Sequence, residues 1–443
     1  MTDPLGRPGI PAEEYARRRA AIAEALGDGV MILAAGAPAA LARDVEAPFR
    51  PDSDFFYVCG FPEPHAVAVL RPAGEHPFTL FVQPRNRERE TWTGPRLGPD
   101  GARELFGADA AFPLGKLPER LPALLDGARR LFYEPWRRPG LDHQVRRALD
   151  RLKAKERFGA RAPLEIVDPG VVLHEMRLRK SEAEIALLER ACAVTVAGHR
   201  AAMRRCRPGV REYQIQAALE AAFAEGGGRP GFATIVAAGR NACYLHYTSN
   251  DGAVGPEDLV LVDAGAAYGG YTGDVSRTFP ASGRFSAAQR DLYRAVLDAE
   301  RAAVRMVRPG ITVDEIHEAT VRRLTSSLVD LGCLSGDVER LVAEEAFKPF
   351  FMHRTSHWLG LDVHDAGRYR QDGRARPLEP GMVLTIEPGL YIPPDAESAP
   401  EALRGQAVRI EDDVLVTAEG GRVLTDELPA EPEEVEALVG EAP

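Results

Sequence analysis

Residues 353–365, HRTSHWLGLDVHD, hold three of the chain's ten histidines, His353, His357 and His364, beside Asp362 and Asp365. Imidazole is polar, costs free energy to bury without a partner and titrates near neutral pH, so a segment that only packed would have no use for so many proton carriers. Acidic residues recur where the pattern calls for apolar strands. In DLVLVDAGAAYGGYTGDVSRTF, residues 258–279, two β-rich runs flank a glycine-rich turn, with Asp263 on one arm and Asp274 on the other. A turn centred between Tyr268 and Gly269 sets the two carboxylates opposite each other; a turn made of Gly269 and Gly270 sets them diagonally on one face. Carboxylates that close repel, and one takes up a proton unless a cation sits between them. Glu387 closes the run GMVLTIEPG and Glu411 stands in AVRIEDDVLVT, although interior strands rarely carry an unpaired Glu. With His357, the set Asp263, Asp274, Glu387 and Glu411 offers four hard oxygen donors and one imidazole. Such a set suits two divalent ions bridged by carboxylates, and its oxygen bias favours Mn²⁺, with Co²⁺ or Zn²⁺ as alternatives.

Other chemistries find no support. GGGRPG, at 226–231, is not followed by Lys-Ser/Thr and cannot serve as a phosphate loop, and neither a G-x-S-x-G elbow nor an H-E-x-x-H helix occurs.

The 443 residues, 45% hydrophobic and 27% charged, have the composition of a globular chain long enough for two domains. From Gly29 to about Phe81 the runs GVMILAAG, FFYVCGF, HAVAVL and PFTLFVQ read as strands, followed by helical stretches near 102–107 and 117–130, a strand RLFYEP and a basic helix at about 140–158. This alternation predicts an α/β domain. Ser181 and Glu184 form a capping box that opens a long amphipathic helix ended by Pro208-Gly209, and this start sets the boundary near 175, giving domains 1–175 and 176–443. Helices at about 212–225, 286–307 and 313–330 follow. The RPG tripeptides at 207–209 and 308–310 each close a helix and precede another, a weak repeat that suggests a duplicated βαα half.

A formal net charge of −11 argues against a nucleic-acid partner, and the basic run Arg137–Arg161 lacks interleaved aromatic residues, so it reads as a solvated face. Five scattered cysteines without a C-x-x-C pair point to free thiols in a reducing compartment, and no run is long and apolar enough for a signal core or a membrane span. The expected location is the cytoplasm. The acidic C-terminal PAEPEEVEALVGEAP is expected to fray or lie on the surface.

The segments LVDAGAAYGGYTGDVSRTFP, HRTSHWLGLDVHD, LTIEPGLYI and VRIEDDVLV resemble the metal-site segments of the pita-bread metallopeptidases of the M24 type, Xaa-Pro aminopeptidases (aminopeptidase P) foremost. Upstream, DSDFFYVCGFPEPHAVAVL and RERETWTGPRLG resemble that family's creatinase-type N-terminal domain. The resemblance implies an α/β creatinase-like domain followed by an α+β pita-bread catalytic domain. It implies Asp263, Asp274, His357, Glu387 and Glu411 as ligands, with Asp274 and Glu411 bridging both metals, and His246 and His364 as substrate contacts that stabilise the tetrahedral intermediate. Trp92, Tyr391 and Arg409 resemble residues around the proline and peptide pocket, and His353 either supports that wall or touches substrate. The chemistry that follows is hydrolysis of the bond between an N-terminal residue and a following proline by a water held between two cations, with Glu387 as general base. Homo-oligomers, dimeric or tetrameric, are the family's form. Prolidase, restricted to Xaa-Pro dipeptides, and a non-catalytic peptide-binding version of the fold are the alternatives.

Overall fold

In the computed structural model, which describes residues 1–440, the chain divides into the units Met1–Met176 and Arg177–Pro443. The first unit is built on strands β1 (Val30–Ala34), β2 (Val67–Leu70), β3 (Phe78–Val82), β4 (Ala110–Pro113), β5 (Arg130–Phe132) and β6 (Glu165–Val167), in the order β4-β3-β2-β1-β5-β6. β2 pairs antiparallel with β1 and β3, whereas β1–β5, β3–β4 and β5–β6 run parallel. Parallel neighbours need crossovers, and helices Gly98–Phe106, Leu117–Leu125 and Pro139–Lys153 supply them. Leu117, Leu121 and Leu125 recur every fourth residue, as do Leu141 and Val145, and these stripes pack on Val30, Ile32, Val69 and Phe81 of the sheet. The arginines between them, Arg146, Arg147 and Arg151, stay exposed, so the basic run is the outer face of an amphipathic helix.

One run differs from its sequence reading. FFYVC forms a helix, Ser53–Cys59, not a strand: the Asp52 carboxylate accepts from the backbone N–H groups of Asp54 and Phe55, and Gly60 ends the turn at φ +65°. Capping and burial of Phe55, Tyr57 and Val58 outweigh the β preference of aromatic and branched residues.

The second unit consists of short antiparallel sheets and two helix pairs, Glu182–Arg205 with Glu212–Glu225 and Ala287–Met306 with Val313–Asp330. Capping boxes open three of these helices, at Ser181/Glu184, Ser286/Gln289 and Thr312/Glu315. Gly209 and Gly310, at φ +87° and +89°, turn the chain after each RPG. Each helix pair precedes its strands in the chain, so the repeated half is ααβ rather than βαα. The strands are β7 (Arg229–Pro230), β8 (Ile235–Ala238), β9 (Leu259–Ala264), β10 (Ala266–Tyr268), β11 (Tyr271–Thr272), β12 (Val275–Pro280), β13 (Arg370–Gln371), β14 (Arg374–Ala375), β15 (Val383–Ile386), β16 (Gly389–Tyr391), β17 (Ala407–Arg409), β18 (Asp412–Val416) and β19 (Gly421–Val423). They assemble as β12-β9-β8, β11-β10-β7, β15-β18-β19, β16-β17 and β13-β14. The main core joins both helix pairs to β8, β9 and β12 through Leu219, Phe223, Val260, Val262, Val296 and Leu324.

The C-terminal segment does not fray within the described residues. Pro432–Leu438 is a helix whose Val435 is buried, and the Glu436 carboxylate accepts from Arg290 Nη2 at 2.6 Å and Phe285 N at 2.9 Å. Residues 441–443 lie outside the described residues.

Candidate active site

Register decides where the two aspartates stand. Asp263 pairs with Ser276 and Tyr268 with Tyr271, which makes Gly269 and Gly270, at φ +58° and +95°, the two turn residues of a type I′ hairpin. Asp263 and Asp274 are therefore diagonal neighbours, the second of the two arrangements open to the sequence. Between them the arms pinch together: a Cβ on Gly265 would lie 1.7 Å from the Gly273 carbonyl oxygen. Only glycine fits there.

The other candidates arrive on adjoining strands. β15 and β18 pair with Ile386 opposite Asp412, so Glu387 and Glu411 are the next residues at the same end of the ladder. Glu411 N donates to Ser276 O at 3.0 Å, which fastens it to the aspartate hairpin. The histidine segment runs along β15, with Thr385 N donating to His357 O at 2.9 Å and Glu387 N to Thr355 O at 2.8 Å. Backbone pairing thus carries the acidic hairpin, the Glu387/Glu411 ladder end and His357 to one place.

Side-chain geometry there is that of a cation site. His357 Nδ1 lies 3.0 Å from the Trp358 carbonyl oxygen, which can only accept, so Nδ1 carries the proton. The lone pair of Nε2 then faces Asp274 Oδ2 at 3.3 Å and Glu387 Oε1 at 3.7 Å, a repulsive arrangement unless a cation intervenes. Asp274, His357 and Glu411 each present a ligand atom within 4.8 Å of the others. Burial, and then Asp263, Asp413 and Glu387, push the Asp274 carboxyl well above the usual carboxylate range. Burial followed by Asp274 and Glu387 does the same to Glu411, and burial lifts Glu387 to about 7. Asp263 Oδ1 is buried without a hydrogen-bond partner. Among the described residues Arg409 is the one guanidinium bonded to a carboxylate of the cluster, reaching Asp263 Oδ2 at 2.5 Å, Tyr391 Oη at 2.9 Å and Ser276 Oγ at 2.8 Å; Ser276 in turn donates to Glu411 Oε2 at 2.9 Å. A single positive charge against four clustered carboxylates leaves an uncompensated buried negative charge, and hard oxygen donors with a bare imidazole nitrogen fit a divalent metal.

These residues line a cavity of about 800 Å³ that also takes in His246, His353 and His364. The His364 ring stands 4.5 Å from that of His357, nearly perpendicular, and burial lowers its pKa. His353 Nδ1 faces Arg354 O at 2.8 Å and its Nε2 faces Tyr391 Oη at 2.9 Å, and burial lowers its pKa to about 3. Tyr391 thus links His353 to Arg409. Trp92 lies in the other unit, on helix Arg87–Thr93, where it is 87% exposed.

Two supports escaped the sequence reading. Asp413 Oδ2 accepts from Asp274 N at 2.9 Å and from Cys192 Sγ at 3.2 Å, and burial raises Asp413 to about 7. Arg277, 1% exposed, donates to Glu411 O at 2.7 Å and to both carboxylate oxygens of Asp412, at 2.9 and 3.1 Å. An arginine inside the apolar run VSRTFP and a second aspartate in IEDDV were the available signals.

The family model for metallopeptidase family M24 matches residues 186–418, and that for the aminopeptidase P N-terminal domain matches residues 15–133. The chain belongs to metallopeptidase family M24. Among its relatives, Xaa-Pro aminopeptidase of Escherichia coli is 45% identical across 97% of this chain and 98% of its own length. Human Xaa-Pro aminopeptidase 3 is 33% identical across 98% of this chain and 87% of its own. Among solved structures, the Pseudomonas aeruginosa aminopeptidase PepP superposes with a TM-score of 0.95 at 47% identity, covering 97% of this chain and 98% of that one. Zinc-substituted E. coli aminopeptidase P in complex with product superposes at 0.94 and 44% identity over the same shares. The fold is thus an aminopeptidase P-type N-terminal domain followed by a pita-bread metallopeptidase domain, and the acidic pocket is a divalent-metal site. No helix among the described residues is long and apolar enough to cross a membrane.

Proposed function

We propose that this chain is a metal-dependent aminopeptidase that releases an N-terminal residue from a following proline, with domain 176–443 as its catalytic part. The observation that carries the metallopeptidase chemistry is the convergence of Asp263, Asp274, Glu387 and Glu411 with the bare Nε2 of His357 in one cavity. Identity of 45% to an Xaa-Pro aminopeptidase over nearly the full length supports the choice of substrate.

The residues that would hold two divalent ions are Asp263, Asp274, His357, Glu387 and Glu411, and Mn²⁺ is the ion their oxygen donors favour. Bound there, the ions supply Lewis acidity toward the scissile carbonyl and acidity to the attacking water. Glu387, which lines the cavity beside the other ligand residues, takes a proton from that water and returns it to the departing proline nitrogen, which leaves as a secondary amine. His364 is neutral at working pH and donates an N–H to the carbonyl oxygen as negative charge develops; His246, on the same cavity wall, does likewise. The Tyr391–Arg409 pair holds Asp263 and orients His353. Because the peptide nitrogen of proline carries no N–H, the pocket selects the ring by shape.

Five free cysteines support a reducing cytoplasmic location, and the family's dimers or tetramers are the expected assembly, without nucleic acid or membrane. The test is hydrolysis of a tripeptide Xaa-Pro-Yaa and a dipeptide Xaa-Pro by metal-stripped protein before and after Mn²⁺, with Asp274→Ala as control. Metal-dependent release of Xaa from the tripeptide, absent in the control, supports the aminopeptidase. Cleavage of the dipeptide alone makes it a prolidase, and no cleavage of either leaves a peptide-binding protein.

A further inference from the structure

The cavity wall carries a second charged group apart from the ligand cluster. Asp314, in the first turn of helix Val313–Asp330, receives one arginine on each carboxylate oxygen: Arg354 on Oδ1 and Arg370 on Oδ2, the latter at 2.8 Å. All three residues line the cavity that holds the catalytic set. Two guanidinium groups against one carboxylate leave a surplus positive charge on this wall. The arginine side chains are 56% and 62% exposed, and ion pairs so exposed contribute only about 0–1 kcal/mol, so the trio has little stabilising value and its contacts exchange readily.

The backbone nevertheless holds both arginines in place. Arg354 sits between His353, tied to Tyr391, and Thr355, whose carbonyl accepts from Glu387 N. Arg370 belongs to the hairpin β13–β14, whose turn residues Asp372 and Gly373 have φ of +49° and +78°. Tyr369, just before it, stacks on Trp358 with ring centroids 5.0 Å apart and accepts from Trp358 N at 2.9 Å. Anchored backbones with exposed guanidinium ends make a preorganised clasp for an anion.

We propose that Arg354 and Arg370 recognise a carboxylate of the substrate distal to its ammonium group, either the free C-terminus of a short peptide or an acidic side chain beyond the proline. This rests on the aminopeptidase reading of the same cavity. A positive wall repels the substrate's α-ammonium and so receives the opposite part of the peptide. Each guanidinium has five N–H donors, so an incoming carboxylate engages those that Asp314 leaves unused, or takes over from Asp314.

The test compares kcat/KM of the Mn²⁺-loaded full chain on four substrates: Ala-Pro-Ala, Ala-Pro-Ala-amide, Ala-Pro-Glu-amide and Ala-Pro-Lys-amide. Ala-Pro-Ala, Ala-Pro-Glu-amide or both should exceed Ala-Pro-Ala-amide by about 5-fold at low salt, with the Lys peptide below it, and the differences should shrink at high salt. Preference for Ala-Pro-Ala identifies the C-terminus as the group read, and preference for the Glu amide identifies the side chain. The ratio of acidic to neutral substrate should fall to near one in an Arg354→Ala/Arg370→Ala double variant and rise in Asp314→Asn, which leaves both arginines uncommitted. Equal cleavage of charged and neutral peptides by the wild type, or a ratio that survives the double variant, overturns the proposal while leaving the aminopeptidase intact. Cleavage of none of the four overturns both.

Discussion

Glu387 makes the link between charge, metal and stability measurable. Burial raises its carboxyl from the ordinary 4.5 to about 7, equivalent to about 3 kcal/mol of cost for holding the ionised form in the folded, metal-free protein. Because the native carboxyl keeps its proton to a higher pH than the unfolded chain does, metal-free native protein binds more protons between those values and loses stability as pH rises through that window. Glu387→Gln keeps the shape of the side chain and removes this titration. Between about pH 4.5 and 7.5 the melting temperature of metal-stripped wild type should therefore fall relative to that of the variant, by about 6–12 °C for 3 kcal/mol in a unit of this size. Mn²⁺ at roughly 100 times its Kd should restore about 3 kcal/mol to the wild type by binding only the native state. The assay is differential scanning calorimetry on stripped and reloaded samples across that range. Melting temperatures that run parallel in wild type and variant, or a wild type that gains stability relative to the variant as pH rises, would refute the reasoning.

Three further outcomes follow from supports around the cluster. Asp413→Asn changes the group that holds the Asp274 backbone and should weaken Mn²⁺ binding by roughly 10–100-fold in a calorimetric titration, with melting of the stripped protein changing much less. Arg277→Met leaves the buried Asp412 carboxylate without its partner and should destabilise the chain by about 3–5 kcal/mol in urea unfolding. His199, fully buried with Nε2 3.1 Å from Ala264 O, has its pKa lowered by burial to about 4. Its neutral form therefore contributes stability that is fully present above pH 6.5 and lost as pH falls toward 4, by about 3 kcal/mol in all, and His199→Gln should flatten that part of the acid-unfolding curve.

The candidate site was legible because its chemistry goes against the local pattern. Asp263, Glu387 and Glu411 interrupt runs of valine, leucine and isoleucine, and a carboxylate in a buried strand needs a partner, so sequence alone marked them as a group. Capping boxes at Ser181, Ser286 and Thr312 use contacts three residues apart, which is why the long helices of the second unit start close to where their sequences place them. FFYVC was misread because its residues favour strands intrinsically, whereas the cap at Asp52 and burial of Phe55 and Tyr57 decide otherwise. The order of helix pair and strands in the repeated half was likewise invisible to a tripeptide signal.

Sequence by itself determined the kinds of groups and the strands that carry them: an acidic hairpin with glycines at its turn, a histidine segment, and two glutamates at strand ends. Tertiary structure decided the geometry. The choice of Gly269-Gly270 as turn residues pairs Asp263 with Ser276 instead of Asp274, a two-residue change of register that keeps both aspartates on one face but makes them diagonal. The proton on His357 Nδ1 is fixed by the Trp358 carbonyl, and the arginines that meet on Asp314 come from segments separated in the chain by 40 and 56 residues. Electrostatic interactions act through space, falling off with distance and burial rather than with position along the chain, so only the folded arrangement shows which charges are left without a partner.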